Sequence, residues 1–208
     1  MLYNKFRYLL FPKELITNMT HLNKNELAEI IAQTPLKDDS FPVFIETGTY
    51  RGETIFHMEP FFDSLHTIEI NENFFNTCKA KYDGNKIVFH LGNSNNVLIK
   101  ILPTIKGNVI FFLDGHWSGE DTGRGEKDVP LLEELGFINA QLEGKALIII
   151  DDYRLFGRHP KAFLKRNYCN EDWRAISKRS LVVRVRSRLI SSFVYGDRFV
   201  ICIGRFKS

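Results

Sequence analysis

The sequence predicts an α/β domain built on a doubly wound, mostly parallel seven-stranded sheet that closes with a C-terminal antiparallel hairpin. Three observations lead there. Short apolar runs alternate with helical patterns between residues 42 and 152. One of those runs, Ala146 to Asp152 (ALIIIDD), is apolar on both faces up to its terminal acids, as a strand covered by helices on both sides must be, and Asn108 to Asp114 (NVIFFLD) is a fourth strand that also ends in an acid. Near the end, Leu189 to Tyr195 and Arg198 to Ile203 flank Gly196-Asp197, a dipeptide suited to a tight hairpin.

The elements follow in order. A helix is expected around Asn25 to Gln33, and Pro42 to Glu46 (PVFIE) reads as a buried first strand running into a glycine turn that opens a second helix. Ser64 to Ile70 is the second strand; the helix after it is capped by Asn71, reaches about Tyr82 and stops at Gly84. Lys86 to Leu91 is the third strand, Ser94 caps a helix to about Leu102, and the fourth strand ends at Asp114. Asp128 with Pro130 starts a helix that ends at Gly144, before the fifth strand. Past Tyr153 a helix is expected around Pro160 to Tyr168, followed by a segment without a clear period through Lys178. All 208 residues form one domain: residues 1–40 a helical cap, 41–153 the core, 154–208 a closing helix and hairpin.

Composition narrows the class. An apolar fraction of 44% and a charged fraction of 25% are those of a globular protein, which argues against disorder. Met1 to Phe11 is apolar, but Asn4, Lys5 and Arg7 interrupt it and no small-residue cleavage site follows. No run approaches the roughly 20 apolar residues of a membrane span, so no membrane partner is expected. Cys78, Cys169 and Cys202 are odd in number and far apart, matching neither a disulfide framework nor a zinc spacing; a reducing cytoplasm is the expected location. Net charge is only +3, yet residues 158–188 hold ten Lys/Arg against Glu171 and Asp172. Such a run reads as a solvated face or as a surface for an anionic substrate.

The chemistry gathers at the strand ends, where ligands of open α/β sheets sit. After the first strand comes Glu46-Thr47-Gly48-Thr49-Tyr50-Arg51-Gly52, a spacing of Glu-x-Gly-x-x-x-Gly that departs from the dinucleotide fingerprint. An acid before the turn repels phosphate and suits an ammonium group. Glu69 ends the second strand about twenty residues on, placed to take two ribose hydroxyls. On these residues the chain resembles the Rossmann-like, class I S-adenosylmethionine-dependent methyltransferases. The resemblance covers about Phe41 to Tyr153 and, loosely, the hairpin. It implies S-adenosylmethionine as cofactor, held by Glu46, Thr47, Gly48, Thr49, Gly52, Glu69 and Asp114, with Asn93 or Ser94 at the adenine. Many relatives carry Asp where Asn93 stands; an amide can still bond the adenine edge.

Asp114 ends the fourth strand in LDGHW, and Asp151-Asp152 end the fifth in IIIDDY. Neighbouring strands bring these carboxylates together, and three converging acids call for a hard cation such as Mg²⁺. The layout is similar to that of divalent-metal-dependent O-methyltransferases of the catechol and macrocin types. Asp114, Asp151 and Asp152 are then metal ligands, Asp114 is catalytic, and a chelated hydroxyl is the methyl acceptor. The same acids also read as cofactor contacts or helix caps. His116, two residues past Asp114, is the candidate general base, although a lone histidine is also commonly structural. Trp117 to Gly125 (WSGEDTGRG) reads as a lid or a surface loop, and Trp117, Tyr153 and Arg154 as acceptor contacts.

The expected partner is a small polar acceptor, anionic, phosphorylated or sugar-linked. Metal-independent methyl transfer is one alternative. The hydroxylase-like relatives of this fold are another, against which stands the lack of a second nearby histidine for an iron site. A nucleic-acid acceptor fits poorly, because Leu113-Asp114-Gly115-His116-Trp117 lacks the Pro-Pro-aromatic grip on a flipped base. A non-catalytic binding module leaves the polar strand ends without a reason.

Overall fold

The computed structural model describes residues 21–116, 123–158 and 171–205. The expected helix at 160–168, Trp117 and most of the glycine-rich loop lie outside the described residues. The strands are β1 Val43–Thr47, β2 Ser64–Glu69, β3 Ile87–Leu91, β4 Val109–Leu113, β5 Ala146–Ile150, β6 Leu189–Tyr195 and β7 Arg198–Ile203. They form one seven-stranded sheet in the order β3-β2-β1-β4-β5-β7-β6. The first five are mutually parallel, and β7 runs antiparallel to both β5 and β6, as the hairpin signal predicts.

Among the described residues six α-helices cover the sheet: α1 Lys24–Ala32, α2 Glu53–Met58, α3 Glu72–Ala80, α4 Ser94–Ile101, α5 Leu131–Gln141 and α6 Lys178–Val185. Because side chains alternate along a strand, each sheet face builds its own core. One face sets Ile45, Phe111, Ile148 and Ile201 against Leu98 of α4, Leu135 and Ile138 of α5 and Leu181 of α6. The other sets Phe44, Ile110, Ile149 and Val200 against Leu27 and Ile30 of α1 and Ile55 and Met58 of α2. The central strands are buried along their whole length, which explains their unbroken apolar sequence.

Helix starts obey local chemistry. Asn23, Asn71 and Asn93 each accept backbone amides at the N-termini of α1, α3 and α4. Asn93 rather than the expected Ser94 caps α4; Ser94 is its first residue and is buried. The register places Thr47, Leu113 and Ile150 side by side, so the residues that follow them emerge together at one sheet edge. Among the described residues no helix is long and apolar enough to cross a membrane.

Candidate active site

The first strand end is shaped by backbone that only certain residues tolerate. Gly48 has φ 87°, and a Cβ there would sit 2.6 Å from the Asp114 carbonyl oxygen, so glycine lets the turn cross the end of β4. Gly52 at φ 80° starts α2, and Tyr50 between them is also left-handed, at φ 49°. Glu69 holds this loop: one carboxylate oxygen accepts from the Tyr50 amide at 2.8 Å, the other from the Asn71 amide at 2.7 Å. Each oxygen keeps a lone pair for a further donor.

Glu46 is buried, and a hydroxyl chain from Thr49 to Thr67 (2.5 Å) ends on its Oε1 at 2.7 Å. Its Oε2 is buried without a hydrogen-bond partner. Burial pushes this carboxyl up to about 8, assisted by the charges of Asp114 and Glu69 and opposed by the Thr67 hydroxyl. An orphaned carboxylate oxygen under a glycine turn fits an ammonium group. Asn93, expected at the adenine, is occupied as the α4 cap, and Gly125 packs so closely that a Cβ there would come within 2.5 Å of its Nδ2.

The acids at β4 and β5 do not meet as three carboxylates at one point. Asp152 adopts φ 58°, a left-handed turn that Asp tolerates, and its amide donates to Asp151 Oδ1 at 2.9 Å. That turn gives the two neighbours different further partners. Asp152 joins Asp114 and His116: His116 Nδ1 lies 3.4 Å from Asp114 Oδ1 and its Nε2 3.1 Å from Asp152 Oδ2. Ligand atoms of these three all fall within 4.8 Å of one another. Asp151 instead groups with Asp152 and Asp197 and faces Arg198 Nε at 3.6 Å.

This placement changes the reading of His116. Burial would lower its pKa, but the hydrogen bond to Asp114 and the charges of Asp152, Asp114 and Glu171 outweigh that and raise it to about 9. A protein without a cation therefore holds imidazolium here at neutral pH, which cannot take a proton. Arg154, expected at the acceptor, is committed to the carboxylates of Asp152 and Asp197. Tyr153 packs half-buried against Phe156 and Phe199.

Several residues here were not read from the sequence. Trp173 is buried with its ring 5.1 Å from that of His116, and buried Glu171 adds negative charge beside it. Glu134 lies on the core-facing stripe of α5 with Leu131, Leu135 and Ile138, wholly buried, and neither oxygen closes a hydrogen bond. Burial lifts its carboxyl to about 7, against the pull of the Ser94 and Thr47 hydroxyls beside it. Thr47 Oγ1 is likewise buried and unpartnered. An acid at that point of an apolar stripe was the available signal.

Comparison with solved structures matches this architecture. An S-adenosylmethionine-dependent methyltransferase from Clostridium acetobutylicum superposes with a TM-score of 0.57 at 10% identity, over 99% of each chain. The N-methyltransferase NodS from Bradyrhizobium japonicum gives 0.51 at 8% identity, over 88% of this chain and 96% of that one. The fold is that of the S-adenosylmethionine-dependent methyltransferases. No protein-family model matches the sequence, and no curated protein does.

Proposed function

We propose that this protein is an S-adenosylmethionine-dependent methyltransferase acting on a hydroxyl of a small polar acceptor, with a divalent cation at Asp114, His116 and Asp152. The buried, unpartnered Oε2 of Glu46 beneath the Gly48 turn carries the reading. Within this fold it answers the ammonium of the methionine moiety, as Glu69 answers the ribose. In the reaction the acceptor oxygen bonds to the methyl carbon while the carbon–sulfur bond breaks toward sulfur. S-Adenosylhomocysteine and the hydroxyl proton leave.

Two carboxylates and an imidazole suit Mn²⁺, Fe²⁺ or Zn²⁺ better than the Mg²⁺ expected from an all-carboxylate set. A cation bound there would lower the pKa of the acceptor hydroxyl and fix its oxygen. His116 serves as ligand rather than general base, Arg154 holds Asp152 in its left-handed turn, and the Trp173 ring packs edge-on to His116.

Calorimetry with S-adenosylhomocysteine tests the cofactor assignment. Glu69→Ala should weaken binding by about 1–3 kcal/mol, the range for lost charged hydrogen bonds; unchanged affinity removes the ribose role. Glu46 must ionise to pair with an ammonium, and its carboxyl stays protonated until about pH 8. Affinity should therefore climb with pH, by up to about tenfold per unit, and level off above that point. Glu46→Gln should abolish the climb, whereas a flat wild-type profile between pH 6 and 8 rejects the ammonium contact.

A further inference from the structure

The basic segment noted in the sequence has no role in the chemistry above. From Trp173 to Gly196 the chain carries six Lys/Arg and no Asp or Glu. Two of the six are already used: Arg174 pairs with Asp172, and buried Arg188 donates to the carbonyls of Asn139, Gly144 and Gly204. Lys178 and Arg179, in the first turn of α6, line an open groove of about 350 Å³. Its other described walls are Val182, Ser192, Phe193, Val194 and Phe199, none of them acidic.

Topology puts this groove on the ligand side of the sheet. β7 starts beside the carboxyl end of β5, since Phe199 pairs with Ile150. A continuous aromatic wall then joins the groove to the cation site. The Trp173 ring lies 5.1 Å from His116 and stacks on Phe156 at 6.0 Å; Phe156 meets Tyr153 at 5.2 Å and Phe199 at 6.1 Å. Lys178 Nζ stands 5.8 Å over the Tyr153 ring. Nearby Asp197 is turned to Arg154 and does not neutralise the groove. Apolar and aromatic walls with two cations at the rim complement a body that is apolar and an end that is anionic.

We propose that the groove between α6 and the β6–β7 hairpin binds a small organic anion, an apolar or aromatic body ending in phosphate or carboxylate, and that this anionic end is the acceptor's handle. The second clause rests on the methyltransferase reading; the binding itself does not. Phenyl phosphate, benzoate, phenol and inorganic phosphate are titrated into the whole chain by calorimetry, with S-adenosylhomocysteine titrated in parallel. Phenyl phosphate or benzoate should bind at least tenfold tighter than phenol or inorganic phosphate, their order telling which anionic end is preferred. The double substitution Lys178→Ala/Arg179→Ala should reduce that binding at least tenfold, with S-adenosylhomocysteine affinity unchanged; Val182→Asp, which puts a carboxylate into the groove, should do the same. Equal binding by wild type and both variants overturns the proposal, as does a single-stranded RNA that competes at lower concentration than either organic anion. Loss of S-adenosylhomocysteine binding with phenyl phosphate binding intact would instead count against the methyltransferase reading alone.

Discussion

Asp152→Asn and His116→Ala are each expected to weaken binding of Mn²⁺, followed by electron paramagnetic resonance, by at least about tenfold to a hundredfold, the scale on which single ligand-sphere changes act. Asp151→Asn is expected to leave it within a few-fold. The contrast follows from geometry: Asp114, His116 and Asp152 offer donors within 4.8 Å of one another, whereas Asp151 shares its cluster with Asp152 and Asp197 and lies beside Arg198, without joining His116. Removing Asp152 takes away a ligand and one negative charge of the site, so methyl transfer to hydroxyl acceptors should fall with it, by roughly 10²–10⁴-fold. S-Adenosylhomocysteine affinity should change little, because Glu46 and Glu69 sit on β1 and β2. The three-residue site is wrong if Asp151→Asn abolishes Mn²⁺ binding while His116→Ala spares it, and turnover undiminished by a chelator rejects the cation outright.

The pairing of Asp114 with Asp152 was legible because both close apolar strands that the alternation of elements makes neighbours. His116 was read beside Asp114 as well, but as a base; its place between two carboxylates depends on the left-handed backbone of Asp152, which its sequence neighbours do not announce. Arg154 misled for a related reason: its carboxylate partner Asp197 lies 43 residues away in the hairpin turn. That hairpin was read to the residue, because a turn dipeptide between two β-rich runs is a local signal. Helix α6 was not foreseen, although Ser177 and Ser180 form a capping box at its start. Only Leu181 and Val185 of its eight residues are buried, too few to show a period within a run of cations.

Glu134→Leu should stabilise the protein, and the gain should grow with pH. The folded chain holds this carboxyl at about 7 against its ordinary 4.5, so the native state binds one more proton than the unfolded chain between those values. Wild-type stability therefore falls as pH rises from 4.5 through 7, and the raised value corresponds to about 3 kcal/mol in total. Leucine has no proton to lose and extends the apolar stripe of Leu131, Leu135 and Ile138. At pH 8 the variant should melt about 5–10 °C higher, as such a difference implies for a domain near this size. Near pH 4.5 only the smaller benefit of replacing a neutral buried carboxyl remains. Glu46 titrates in the same range but is common to both proteins, so it cancels in the difference. Glu134→Gln separates the two contributions: it should lose the pH dependence yet keep an unsatisfied polar group beside Thr47 and Ser94. Stability curves for wild type and Glu134→Leu that run parallel from pH 4.5 to 8 would show that the carboxylate has a buried partner, and the stabilisation should then be absent.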